Sequence, residues 1–143
     1  MQRRKTSTVR GDVDVRPLKI LVVDDHAAIR RGICSLLSSC PDWRVCGEAA
    51  DGLEAIEKAR ELEPDFILMD ISMPRLDGAS ASKVIHQEAP TTKVILVSHN
   101  DPAVIQRVAV EAGASAFIPK ANLVHDLLPT IEHVLADRRF QNN

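Results

Sequence analysis

Lys19-Ile-Leu-Val-Val-Asp24-Asp25 sets four consecutive aliphatic residues between a lysine and a pair of aspartates. No polar residue alternates within the run, so it reads as a short strand buried on both faces, for which a parallel sheet is the natural host. Downstream, Ile29, Ile33, Leu36 and Leu37 recur at helical spacing, Pro41-Asp42 breaks the pattern, and Trp43 to Glu48 forms the next strand candidate. That is one strand-helix-strand unit. The same alternation continues with a helix over 52–62, a strand over 65–69, a helix over 79–87, a strand over 93–97, a helix over 102–112 and a strand over 115–118. Helical spacing from Leu123 to Leu135 ends it. Five strands alternating with five helices through short connections predict a doubly wound parallel sheet in three α/β/α layers, because right-handed crossovers cover both faces with helices. Pro129 would clash inside a helix, so it is expected in the first turn of the main last helix, after a separate turn over 122–126.

Upstream of the first strand, residues 1–16 carry Arg3, Arg4, Lys5 and Arg10 with no apolar stretch behind them. This leader is expected to be a disordered arm, and it does not have the form of a signal peptide. No apolar run approaches the roughly 18 residues needed to span a bilayer, so no membrane association is expected. The chain has 143 residues, 45% of them hydrophobic, enough for one compact core. Its formal net charge of −2 offers no basic face for nucleic acid. Cys34, Cys40 and Cys46 contain no CxxC pair, which suits neither a disulfide framework nor a zinc site, and they are expected to be buried thiols in a reducing cytoplasm.

In open α/β sheets, ligands sit at the carboxyl ends of the strands near the switch in strand order. The polar residues expected at those ends are Asp24-Asp25, Asp70, Ser98 and Lys120. Singly, each has an ordinary explanation: a helix cap, a turn residue, a strand-end hydroxyl, a surface charge. Together, three carboxylates in one cleft would repel one another and require a compensating cation. Mg²⁺ is the expected ion, since it is a hard cation with oxygen ligands that suits two or three carboxylates plus a backbone carbonyl from the loop after the third strand. A carboxylate beside Mg²⁺, with a lysine and a hydroxyl nearby, is suited to attack phosphorus. Asp70 is then the acceptor, with Lys120 its ion-pair partner and Ser98 a hydrogen-bond donor to a phosphoryl oxygen.

Leu21-Val-Val-Asp24-Asp25-His, Leu68-Met-Asp70-Ile-Ser-Met-Pro74 with Asp77-Gly78, Val97-Ser98 and Phe117-Ile-Pro-Lys120 resemble, in that order, the receiver domains of two-component response regulators. The likeness runs from about Pro17 to Asp137, placing a receiver domain at 17–138 and a short tail at 139–143. Asp-Asp-His near the start and Leu-Leu-Pro-Thr-Ile near the end are most similar to the LuxR-type group, whose receivers usually precede a helix-turn-helix DNA-binding domain. The resemblance implies a flavodoxin-like fold and a phosphoacceptor at Asp70. Asp25, Asp70 and the Ser72 carbonyl would bind Mg²⁺ directly, with Asp24 assisting. It also implies a sensor histidine kinase as donor, a cytoplasmic location, homodimerisation, and a switch in which Ser98 moves toward the phosphoryl group and Phe117 turns inward. DNA would be reached only through an output domain outside this chain. His99 stands where the family usually has a small residue, which implies restricted access to Asp70. Ala121 replaces a frequent proline, so no cis bond is expected after Lys120.

Three other readings compete. Haloacid-dehalogenase-type enzymes also use an aspartate nucleophile with Mg²⁺, but they carry a second aspartate as general acid/base where this chain has Ser72. The chain is therefore expected to be a switch, not a turnover enzyme. A flavodoxin-like FMN module would place its phosphate against Asp24-Asp25, which would repel it. A receiver that takes no phosphate and acts only in dimerisation or docking is the remaining alternative.

Overall fold

The computed structural model describes residues 16–141, with side chains described as far as Asp137. Its elements are β1 (Leu18–Val23), α1 (Ala27–Leu37), β2 (Trp43–Ala49), α2 (Gly52–Leu62), β3 (Phe66–Asp70) and α3 (Gly78–Glu88). Then follow β4 (Lys93–Ser98), α4 (Pro102–Glu111), β5 (Ala116–Pro119), a 3₁₀ turn (Lys120–Asn122) and α5 (Leu123–Gln141). All neighbouring strands pair in parallel. Their order is β2-β1-β3-β4-β5. The chain therefore winds outward from β1 to β2 and then reverses, which puts the switch in strand order between β1 and β3. The expected arm over 1–16 lies outside the described residues except for Arg16.

Alternating residues of each strand point to opposite faces, and the unbroken aliphatic runs fill both. Ile20, Val22, Phe66, Leu68, Ile95 and Val97 pack with Ile33 and Leu37 of α1 and Leu127 and Ile131 of α5. Leu21, Val23, Ile67, Met69, Val94 and Leu96 pack with Ala55 of α2, Ile85 of α3 and Ala109 of α4. The two cores on either side of one sheet are the three layers expected.

Local chemistry starts most of the helices. Asp51 accepts the Glu54 amide while Glu54 accepts the Ala50 amide, a reciprocal cap on α2. Asp77 accepts the Ser80 amide at the start of α3, and Asp101 accepts the Ala103 amide ahead of Pro102 in α4. Helix α1 begins differently, for its N-cap residue His26 makes no side-chain capping bond.

The expectation for Pro129 is not met. No separate turn over 122–126 precedes the last helix, and α5 runs without a break from Leu123 with Pro129 inside it. Burial of Leu123, Leu127, Ile131 and Val134 along one stripe holds the helix through the proline. Pro129 is on the exposed side, where water can satisfy the carbonyl it leaves without a donor. An interior proline costs about 3 kcal/mol relative to alanine, and its stiffening of the unfolded chain offsets about 0.4–1 kcal/mol. Pro129→Ala should therefore stabilise the domain by on the order of 2 kcal/mol, seen as a higher urea midpoint with an unchanged m-value. The helix continues to Gln141, past the domain end expected at 138.

The cysteines depart from expectation as well. All three are free but only half-buried, and burial raises the thiols of Cys34 and Cys46 above the ordinary range. Among the described residues, no helix is long and apolar enough to cross a membrane.

Candidate functional site at the strand ends

The acid, hydroxyl and lysine residues expected at the site lie at the carboxyl ends of their strands, while Ser72 is in the loop after β3 and Phe117 is within β5. Asp24 and Asp25 follow β1, Asp70 is the last residue of β3, Ser98 the last of β4, and Lys120 follows β5 directly. The parallel registers set Asp70 against Val97 and Ser98 against Pro119, so the strands end nearly level.

The Lys120 ammonium lies 3.2 Å from Asp24 Oδ2 and 3.2 Å from Asp70 Oδ2, with all three side chains almost wholly buried. The cation expected from sequence to compensate the carboxylates is thus partly supplied by the chain itself. One lysine against two buried aspartates leaves a charge deficit, and a single atom records it. Asp70 Oδ1 is buried and completes no well-formed hydrogen bond, although the Ser72 amide comes close enough to the carboxylate to pull its pKa down. A buried unsatisfied carboxylate oxygen is costly, and it marks where an additional positive group belongs. Burial pushes the Asp70 carboxyl above its ordinary range, prevailing over the opposing pull of Lys120, and the charge of Asp24 adds to the rise. Burial also works against the Lys120 ammonium, but its bonds to Asp70 and Asp24 outweigh that and hold its pKa above the usual lysine value.

Asp24, Asp25, His26 and Asp70 each offer a ligand atom within 4.8 Å of the others. Three of the four metal residues expected from sequence are therefore gathered, and Ser72 is exposed in the loop that follows Asp70. An oxygen-rich cluster with one incompletely satisfied buried carboxylate oxygen fits a hard divalent cation. Ser98 Oγ accepts the Asn100 amide at 3.0 Å, which ties the hydroxyl to the loop after β4. His99, expected to restrict access, is exposed, and Phe117 is half-buried against the α2-α3-α4 core.

Sequence reasoning missed the supports of this site. Arg30 of α1 donates from Nη1 to the Asp24 carbonyl at 2.7 Å and from Nε to Glu48 Oε1 at 2.9 Å, clamping the turn that presents the acid pair onto β2. Asp24 Oδ1 accepts the His26 amide at 2.8 Å. The loop from Ile71 to Asp77 is pinned at both ends: the Ile71 amide bonds to Val97 O, the Gly78 amide to Ile71 O and the Gly52 amide to Leu76 O. Glycine is needed at two of those points. A Cβ on Gly78 would be driven into the Asp70 carbonyl and one on Gly52 into the Leu76 carbonyl, both backbone atoms that cannot swing aside. Gly78→Ala should displace the loop under Asp70, costing about 1–3 kcal/mol of stability, as overpacking does elsewhere, and weakening divalent-cation binding in calorimetry.

A parallel five-stranded sheet with an acid cluster and a buried lysine at its carboxyl edge defines a doubly wound α/β module with a charged cleft at the switch in strand order. Residues 20–132 match the response regulator receiver domain family, and the chain belongs to it. It is 40% identical over 116 residues to the response regulator protein VraR of Staphylococcus saprophyticus, covering 80% of this chain and 55% of that protein. It is 49% identical over 107 residues to the protein-glutamate methylesterase/protein-glutamine glutaminase of Thermotoga maritima, covering 73% of this chain but 31% of that protein. The chain thus spans about half or less of the length of these relatives. Among solved structures, the response regulator domain of Thermotoga maritima CheB superposes with a TM-score of 0.77 at 41% identity, covering 85% of this chain and 98% of that one. A LuxR-family response regulator from Aurantimonas sp. SI85-9A1 superposes with a TM-score of 0.80 at 33% identity, over 85% and 87% of the two chains. The LuxR-type likeness read from Asp24-Asp25-His26 agrees with the LuxR-family structure among them. The match to the methylesterase lies in a minor part of that enzyme, so esterase chemistry does not come with it.

Proposed function

We propose that the domain is a phosphorylation-activated switch in which Asp70 accepts a phosphoryl group from the phosphohistidine of a sensor histidine kinase in the cytoplasm. The observation that carries this reading is the pairing of a buried, incompletely satisfied Asp70 Oδ1 with a buried lysine that bridges Asp70 and Asp24. The Asp70 carboxylate attacks phosphorus, the bond from phosphorus to the histidine nitrogen breaks, and the imidazole leaves with the electron pair and takes up a proton. Asp25, Asp70, Asp24 and the Ser72 carbonyl would hold Mg²⁺, which when bound supplies neutralising charge at the equatorial oxygens. Lys120 keeps its proton throughout and passes from the Asp70 carboxylate to the phosphoryl group. Ser98 leaves the Asn100 amide to donate to a phosphoryl oxygen.

That departure of Ser98, with inward rotation of Phe117, rearranges α4, β5 and α5 or a dimerisation surface. The output, such as transcription, belongs to an output domain outside this chain. The reading is tested by intact mass after incubation with acetyl phosphate and Mg²⁺, beside an EDTA control and a cognate-kinase reaction. A single Mg²⁺-dependent phosphoryl gain supports it. No gain with either donor would leave a docking or dimerisation module.

A further inference from the structure

Ser82 is a fully buried polar residue that the phosphoryl chemistry does not use. From α3 its hydroxyl donates at 2.9 Å to the carbonyl of Ala112, the residue that closes α4. Other bonds hold the same end. The Gly113 amide bonds to Val110 O and the Ala114 amide to Ala109 O, the paired bonds of a Schellman turn, with Gly113 in the left-handed region at φ +74°. The Ser115 amide then ties the chain to Val94 of β4, and a Cβ on Gly113 would be driven into the His86 ring of α3.

The amino end of α4 is held differently. Asp101 caps it by accepting the Ala103 amide, a bond local to the helix. Residues 101–104 are all exposed, and Ile105 is the first side chain of the helix to be buried. Ahead of the cap, the Asn100 amide is tied to the Ser98 hydroxyl. A helix of ten residues does not persist alone in water, so the tethers at its two ends decide how it moves. One end is fastened to α3 and β4; the other hangs on a hydroxyl that phosphoryl transfer would call away.

We propose that α4 is a lever hinged at its carboxyl end. The Ser82–Ala112 bond and the Gly113 turn form a fixed pivot, and loss of the Ser98–Asn100 bond frees the Pro102–Val104 end to swing. The inference rests on the phosphoacceptor reading of Asp70 and adds to it which half of α4 carries the signal. Val104 and Val110 are both exposed on this helix, and only Val104 would change its surroundings with the phosphorylation state.

The test is amide hydrogen exchange of the whole chain, read residue by residue by NMR, which reports local opening. It compares the parent, Ser98→Ala and Ser82→Ala without a phosphodonor, then the parent and Ser82→Ala with acetyl phosphate and Mg²⁺. Without phosphodonor, Ser98→Ala should lower protection at Ile105, Gln106 and Arg107 by about fivefold, the factor carried by one net hydrogen bond, and leave Val110 to Ala112 unchanged. Ser82→Ala should do the reverse, with a similar loss at Val110 to Ala112. In the phosphorylated parent the change should stop short of Val110, whereas in phosphorylated Ser82→Ala it should reach Ala112. Three results would each overturn the pivot: an even loss along α4 in either unphosphorylated variant, a response in the parent as large at Ala112 as at Ile105, or a response in Ser82→Ala that still stops short of Val110. Opposite losses in the two variants without any phosphoryl gain in the parent would instead overturn the switch and leave the hinge standing.

Discussion

Asp70→Asn is expected to end phosphoryl uptake completely and, in the same protein, to raise the melting temperature. The amide keeps the shape of the carboxylate but removes its nucleophilic charge, so the mass gain with acetyl phosphate and Mg²⁺ should vanish. The gain in stability follows from the environment of the parent residue. Burial raises the Asp70 pKa in the fold, so the folded domain holds that proton to higher pH than the unfolded chain does. Ionisation of Asp70 therefore costs stability as pH climbs from about 4, the ordinary carboxyl value, through the raised folded value, and the full cost is present above it. The variant has no such slope. Its advantage should be absent below about pH 4, grow through the mildly acidic range, and reach on the order of 1 kcal/mol near neutrality. A thermal melt series from pH 3.5 to 7.5 reads it. A variant less stable than its parent at neutral pH would mean that Asp70 is satisfied in a way its lone oxygen does not suggest.

Lys120→Ala should do the opposite, and more strongly. The Lys120 side chain is 6% exposed, and its ammonium lies within ion-pair distance of both Asp24 and Asp70. Deleting one partner of a buried ion pair leaves an uncompensated buried charge and costs about 3–5 kcal/mol. Here two carboxylates are left, so the variant should lie at the upper end of that range at pH 7. Two conditions should restore it. Lowering the pH protonates Asp70 early, because its pKa is already raised, and adding Mg²⁺ supplies the missing positive charge. In the parent, the raised Lys120 pKa means that its contribution persists below the ordinary lysine value near pH 10.4 and is lost as pH rises through the still higher folded value. Denaturant titrations at pH 5, 7 and 9, with and without Mg²⁺, would show the pattern. A loss independent of both pH and Mg²⁺ would reduce Lys120 to a packing role.

The sheet was legible because a buried parallel strand leaves an unbroken aliphatic run, as Ile20 to Val23 and Phe66 to Met69 do. The polar residues at the strand ends were legible for the same reason, since each run stops at one. Pro129 was misread because a local rule was set against a long-range one: burial of Leu127 and Ile131 carries the helix through a residue that would end it in isolation. Arg30 was invisible because it works through the Asp24 carbonyl and Glu48, and backbone acceptors leave no pattern in side-chain spacing. Gly52 was expected at the start of a helix and Gly78 in the Asp77-Gly78 motif, and only the three-dimensional path shows that each makes room for another segment's carbonyl.

The pinned loop between β3 and α3 bears on the heat signature of cation loading. Fixing one residue's backbone costs about 1–2 kcal/mol of entropy. In a pocket that orders a loop as it fills, that cost falls on the binding step. Here the Ile71, Gly52 and Gly78 amides already hold the segment in the folded chain. Its ordering therefore belongs to folding, and a cation meets a rigid frame. Loading should then register in the calorimeter as release of ordered water, with an entropy little diminished by the chain and a heat capacity barely changed.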